Sequence, residues 1–526
     1  MNNRLIKLLL FFGVLGLTAI VAKEIVIYQK IKPLCPNCNV LLISIDTLAA
    51  KHLQCYGYER ETAPNLCKFA KENILFSNSY SQSHWTRPSQ TSVLTGLHMS
   101  THKVSVAHAV KLEKKYKTIA ETFKDNNYQT IYSGTILDDG SWPQSVIRGF
   151  DYLFEQDYKT GNLLDHWYKA LERLEQNKKN KIPTFMYLHT YYVHAPYVTG
   201  EENLKFITSE MRNNHPEIIL KKEDYHTLTA EMRDFVVESL RDRVKNSKTE
   251  ESLKLNTEML KKMESAKSLE ESKKIFASLP EYEIDGYAYD WYFTLLSRME
   301  KNDYVGALYD ERIYQLDKEM ENFLNKIREK FDKDTIVVFY SDHGETVGER
   351  GSYGHCDKND DCLYNETIRV PLIFKVPGIK EKKIEEITQG IDIYPTILKL
   401  VGIAVPEYVE GKNLAGVIGG EKSWMENRYI VSEQDDLQKA VVDKKWKMYF
   451  KDYKNMSSDN MELYDIENDL YEQNNLLKSN PKEAKIKIKQ LNEFVKTISD
   501  KTPKKYNFPD WIDEVKREKL IKEGYF

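Results

Sequence analysis

The run Thr335-Ile-Val-Val-Phe-Tyr340 and the Ser341-Asp-His-Gly-Glu345 that follows it constrain the fold more than any other stretch. Apolar, β-branched and aromatic residues in succession read as a buried strand. Asp342 and His343 therefore stand where that strand ends. In an open parallel sheet the carboxyl edge is where ligands and metals bind. Asp342 offers a hard oxygen and His343 an imidazole nitrogen, a pair suited to zinc or manganese. The glycines that follow let the chain turn away tightly, and the stretch closes on a further imidazole, His355.

Other runs repeat the pattern. Asn39–Ile45 is an apolar strand ending in Asp46-Thr47, and Thr184–Thr190 is another leading to His194. Ile74–Tyr80 and Gln129–Ser133 also read as strands. Helical spacing fits Leu66–Glu72, Tyr116–Asn126, Leu308–Lys330 and Ile391–Gly402. Strands alternating with helices predict an α/β fold with a central, largely parallel sheet. Ser89–Leu94 fits a helix with Pro88 in its first turn, which places Thr86 just before free backbone N–H groups. Taken alone, Thr86 reads as a helix cap.

Residues 201–300 turn rich in Lys, Glu and Leu and read as an inserted helical cap. Past about 420, short alternating strands around Tyr429, Lys439 and Trp446 and a charged terminal helix predict a smaller α+β subdomain. The expected organisation is 1–30 signal peptide or membrane anchor, 31–200 with 301–420 catalytic domain, 201–300 helical insertion, and 421–526 C-terminal subdomain.

The 526 residues carry 76 basic and 80 acidic side chains, so nothing in the charge implies nucleic acid. Arg4 and Lys7 precede an uncharged run, Leu8–Ala22, closed by Lys23. That predicts export, either with an uncleaved membrane anchor and the catalytic domain outside the cytoplasm, or as a secreted or periplasmic protein. Six cysteines in an exported chain read as disulfides, with Cys356 and Cys362 the expected pair and Cys35, Cys38, Cys55 and Cys67 unassigned.

Together these blocks resemble the sulfatase-like branch of the alkaline phosphatase superfamily. They run in the family's order: Ile45-Asp-Thr-Leu48 with Cys55-Tyr-Gly-Tyr58, Thr86-Arg-Pro-Ser89 with Leu94-Thr-Gly96 and His102, His194-Ala-Pro-Tyr197, Ser341-Asp-His-Gly-Glu345, Val370-Pro-Leu372, Asp392-Ile-Tyr-Pro-Thr396, and Glu462-Leu-Tyr-Asp465. The resemblance implies an alkaline-phosphatase-like α/β sandwich and one divalent metal (zinc, manganese or calcium) on Asp46, Asp342 and His343. It puts the nucleophile, also within reach of the metal, at Thr86.

The departures from the family pattern bear on the chemistry. Sulfatases proper carry a Cys or Ser that becomes formylglycine, with an Arg four residues on; here Thr86 and Gln90 stand there. The Asp pair of many sulfatases is Asp46-Thr47, and Tyr132-Ser-Gly-Thr135 stands where a Lys is expected. A Thr nucleophile is similar to that of phosphoglycerol and phosphoethanolamine transferases. The expectation is a metal-dependent enzyme that cleaves or transfers phosphoesters through Thr86, with His194 and His355 holding anionic or leaving-group oxygens. Its substrate is an anionic ester borne by a lipid headgroup or a glycan. Two alternatives stand beside it: a sulfuric ester hydrolase without formylglycine, and an inactive binding protein.

Overall fold

The computed structural model describes residues 32–499 apart from 106–110, 135–146, 156–163, 198–203, 215–226, 248–249, 356–360, 422–427 and scattered positions within 280–301, 435–436, 455–456 and 478–481. The N-terminal apolar run and Cys356 lie outside the described residues. Among the described helices none is long and apolar enough to cross a membrane.

Eight strands form the central sheet: β1 (Asn39–Ile45), β2 (Ile74–Tyr80), β3 (Gln129–Gly134), β4 (Tyr152–Glu155), β5 (Thr184–Thr190), β6 (Thr335–Ser341), β9 (Leu372–Lys375) and β10 (Lys382–Gln389). Their order is β10-β2-β9-β6-β1-β5-β3-β4. Only β9 runs against the rest, between β2 and β6. Side chains alternate across a strand, and β1 follows that rule with apolar residues on both faces. Leu41, Ile43 and Ile45 enter one core and Val40 and Leu42 the other. A strand buried on both faces is what a parallel sheet covered by helices requires.

The first core lies beneath α1 (Pro64–Lys71), α4 (Asp165–Lys179) and the long α5 (Asn302–Phe331); the second lies beneath α3 (Ile119–Asp125) and α6 (Ile393–Val401). Residues 230–276 form three further helices whose Met232, Val236, Leu240, Met263 and Phe276 share a separate apolar cluster. The chain leaving at Tyr197 meets the returning chain at Tyr292 and at Tyr309. The Tyr197 backbone N–H donates to the Tyr292 hydroxyl at 3.1 Å, and the Tyr197 ring lies 5.6 Å from that of Tyr309 on α5.

Four antiparallel strands, β11 (Ile430–Gln434), β12 (Gln438–Val442), β13 (Trp446–Phe450) and β14 (Met461–Asp465), make a second sheet in sequential order. Ile430, Tyr449 and Tyr464 pack on Tyr80 and Ile387 of the first sheet. A hairpin of β7 (Thr346–Val347) and β8 (Tyr353–Gly354) runs directly into His355. Disulfides join Cys35 to Cys38 and Cys55 to Cys67.

Candidate active site

In the register of the sheet Ile45 faces Thr190 on one side and Ser341 on the other, so β1, β5 and β6 end level. Asp46 and Asp342 follow those ends directly. Their carboxylates and the His343 ring offer ligand atoms that lie within 4.8 Å of one another, and all three residues are buried. His343 Nδ1 donates to the Gly344 carbonyl oxygen at 2.9 Å, which leaves Nε2 turned toward the carboxylates. Such a backbone bond fixes the ring orientation of a ligating histidine.

Thr86 is the first residue of α2 (Thr86–Thr95), three positions earlier than helical spacing indicated. Arg87 and Pro88 fit within the first turn, where proline's missing N–H costs nothing. Trp85 takes the cap position without a side-chain bond, so Thr86 is not the cap. Its hydroxyl donates to Asp46 Oδ2 at 3.0 Å and lies 3.2 Å from His343 Nε2. All four residues expected to surround a metal thus meet at one point.

His355 and His194 adjoin that point. The His355 ring centroid is 5.2 Å from that of His343, 5.1 Å from that of His194 and 4.2 Å from that of Trp85 in an edge contact. Burial, reinforced by the His194 and His343 imidazoles, pushes His355 well below the ordinary imidazole range. It is therefore neutral near pH 7.

Further residues complete the arrangement. His189 Nε2 is 3.4 Å from Asp46 Oδ2, and Gln90 donates to Asp342 Oδ2 at 3.2 Å. His84 is fully buried, and Glu345 Oε1 lies 3.9 Å from His355 Nδ1. Burial pushes the Glu345 carboxyl up to about 7. His189 sits one residue before the end of β5 and His84 two before Thr86, so proximity to those landmarks was the available signal.

The donor set fits a single divalent cation. Asp46 Oδ1 is buried and accepts no hydrogen bond, although it faces the other two candidate ligands. Burial and the Asp46 carboxylate drive Asp342 above the usual carboxylate range. Two carboxylates so close resist carrying charge together, and a cation between them relieves the repulsion.

The fold, with this edge-of-sheet acid, histidine and hydroxyl cluster, is of the alkaline-phosphatase-like kind. The sulfatase family model matches residues 38–403, and that of the C-terminal region of N-sulphoglucosamine sulphohydrolase matches residues 351–501. The chain belongs to the sulfatase family. It is 26% identical over 517 residues to an N-acetylglucosamine-6-O-sulfatase of Bacteroides thetaiotaomicron, covering 88% of this chain and 87% of that one. A solved protein in complex with its substrate D-glucosamine-2-N,6-O-disulfate superimposes with a TM-score of 0.59 at 22% identity, over 88% of this chain and 98% of the other. A phosphonate monoester hydrolase of Agrobacterium radiobacter does so with 0.57 at 15% identity, over 88% and 96%. Both structural likenesses concern the fold.

Proposed function

We propose that the protein cleaves or transfers phosphoric esters through Thr86, with Asp46, Asp342 and His343 holding one divalent ion of the zinc, manganese or calcium kind. The observation carrying the proposal is the Thr86 hydroxyl, 3.0 Å from Asp46 Oδ2 and 3.2 Å from His343 Nε2. When bound, such an ion supplies positive charge for an anionic ester oxygen and favours ionisation of a nearby hydroxyl. Thr86 Oγ1 attacks phosphorus in line, its proton passing toward Asp46. The bond to the leaving alkoxide breaks, and that oxygen takes a proton at His194 while the ring N–H of His355 holds an ester oxygen. Water, or a second alcohol, then attacks the phospho-threonine and restores the hydroxyl. The chain's residues act chiefly by placement and by stabilising charge.

A sulfuric ester cleaved directly by Thr86 is the second reading, favoured by relatives named for sulfated sugars. Those names also favour a glycan as bearer of the ester. Against sulfate stands the secondary alcohol of threonine, which forms no aldehyde hydrate and so has no hemiacetal route for expelling sulfate. Export with an N-terminal anchor or signal belongs to the same proposal, supported by the Cys35–Cys38 and Cys55–Cys67 bridges. So does a division in which the helices of 201–300 cap the site and residues 421–526 form a subdomain.

The test compares aryl phosphodiester, aryl phosphonate and aryl sulfate turnover by purified, metal-loaded enzyme. Phosphoryl substrates should be turned over faster, Thr86→Ala should abolish the activity, and Thr86→Ser should retain part of it. Mass spectrometry of quenched enzyme should place phosphate on the peptide containing Thr86. Aryl sulfate hydrolysis that survives Thr86→Ala would overturn the proposal.

A further inference from the structure

Thr47, directly after Asp46, is a β-branched residue in the left-handed backbone region, with φ of 58°. Such a conformation persists only where surrounding contacts impose it. Here they come from three directions. The Thr47 backbone N–H donates to Asp342 Oδ1 at 3.3 Å, and the Leu48 N–H donates to Ser341 Oγ at 2.9 Å. The third is the hydroxyl of Tyr309. It accepts from the Ala49 N–H at 2.9 Å and donates to the Thr47 carbonyl oxygen at 2.5 Å.

One phenol thus clips both ends of the turn that follows Asp46. Tyr309 is fully buried, and its ring stands edge-on to that of His52 at 4.8 Å. It is carried by α5, far along the chain from the turn it clips. With no hydroxyl at that position, the Thr47 carbonyl and the Ala49 N–H lose a partner in a dry interior. Thr47 then has nothing at its carbonyl to oppose its return to an ordinary conformation.

We infer that Tyr309 is a positioning residue for the cation: it holds Thr47 in the left-handed turn that aims the Asp46 carboxylate at Asp342 and His343. The inference rests on the reading of those three residues as the metal site and is independent of which ester is cleaved. Rotation about the Asp46–Thr47 linkage swings the carboxylate away from the other two ligands, so the expected deficit lies in metal affinity.

The experiment titrates Zn2+ into the metal-stripped full chain by calorimetry, for wild type, Tyr309→Phe, Thr47→Gly and the double variant. Tyr309→Phe should weaken zinc binding by about tenfold to a hundredfold, the range for partners that orient metal ligands. Thr47→Gly alone should bind as wild type does. In the double variant affinity should return, because glycine takes a positive φ at no steric cost. A purely structural role for Tyr309 predicts no such rescue. Wild-type affinity in Tyr309→Phe overturns the inference, as does a double variant no tighter than Tyr309→Phe. If Tyr309→Phe does not fold, Ser341→Ala, which releases the same turn at Leu48, must show the loss and the glycine rescue; their absence overturns the inference equally. A wild type that binds no zinc overturns the metal site itself and the inference with it, whereas zinc binding without the rescue pattern removes only the role of Tyr309.

Discussion

Gln90 grips Asp342 from one turn inside α2: its side-chain Nε2 donates to Asp342 Oδ2 at 3.2 Å and to Ser44 Oγ at 2.8 Å. Its Oε1 accepts from the Tyr340 hydroxyl at 2.7 Å and from the Tyr187 hydroxyl. An amide suits the position because it can donate toward the acid while accepting from two phenols. The helix that carries Thr86 therefore also steadies one of the three residues proposed to hold the cation.

Replacing Gln90 by Leu should lower stability by about 1–3 kcal/mol, because two buried phenols and a carboxylate oxygen lose a partner together. Thermal denaturation of the metal-free protein reads that loss. Zinc titration should show weaker binding as Asp342 loses its fixed orientation. An unchanged melting temperature would mean that the three groups find other partners.

Arg350 sits at the tip of the hairpin that ends in His355. Its Nη2 donates to the carbonyl oxygens of Tyr471 at 3.0 Å and Glu472 at 3.2 Å, and its guanidinium lies 3.7 Å from the centre of the Tyr364 ring. Lysine cannot reproduce a stacked fork of donors. Arg350→Ala and Arg350→Lys should each reduce kcat/KM by about tenfold through displacement of His355. Combined with His355→Ala, neither should lower it further, since coupled sites do not add. Multiplying effects would show that the hairpin does not act through His355.

Acid should weaken the contact between the turn that follows α2, at His98 and Ser100, and the second sheet. Glu433 is buried, which alone would raise its pKa; the Lys439 ammonium, the His98 imidazole and the Ser100 N–H reverse this and lower it to about 2. Its unfolded value is near 4.5. A carboxyl depressed by folding contributes stability that is complete above the unfolded value and is lost as pH falls toward the folded one. Unfolding free energy should therefore drop between pH 4.5 and about 2. In Glu433→Gln that portion of the slope should vanish, as urea melts across the window would record.

The Cys55–Cys67 bridge ties the loop after the Asp46 turn to α1 across a separation of 12 residues. Closing a loop of that size contributes about 3 kcal/mol by restricting the unfolded chain. The Cys55→Ser, Cys67→Ser double variant should melt lower by a matching amount. Peptide mapping of unreduced protein should recover the two cysteines in one linked fragment.

Asp46, Asp342 and His343 were legible in the sequence because each follows an all-apolar strand, and strand ends fix position without knowledge of the remaining chain. The parallel sheet was legible for the same reason. The start of α2 was not, since a proline is compatible with several positions of a first turn. The reversed strand β9 gave no sign either, because its four buried residues carry no mark of direction. Tyr187, Tyr340 and Tyr309 looked like core aromatics. Their hydroxyls matter through partners 97, 250 and 262 positions away, and no local period reports contacts at such range.

The meeting of Tyr197 with Tyr292 and Tyr309 has a consequence for how such a chain can change. Where departure and return are fastened at one junction, the segment between them resembles a cartridge clipped into a fixed socket. Lengthening it adds only a slowly growing closure entropy, and its helices between 230 and 276 share an apolar cluster separate from the two sheet cores. In the proposed division, where these helices cap the site, exchanging the cartridge would change selectivity while the socket, with Tyr309 in its wall, keeps the Asp46 turn unchanged.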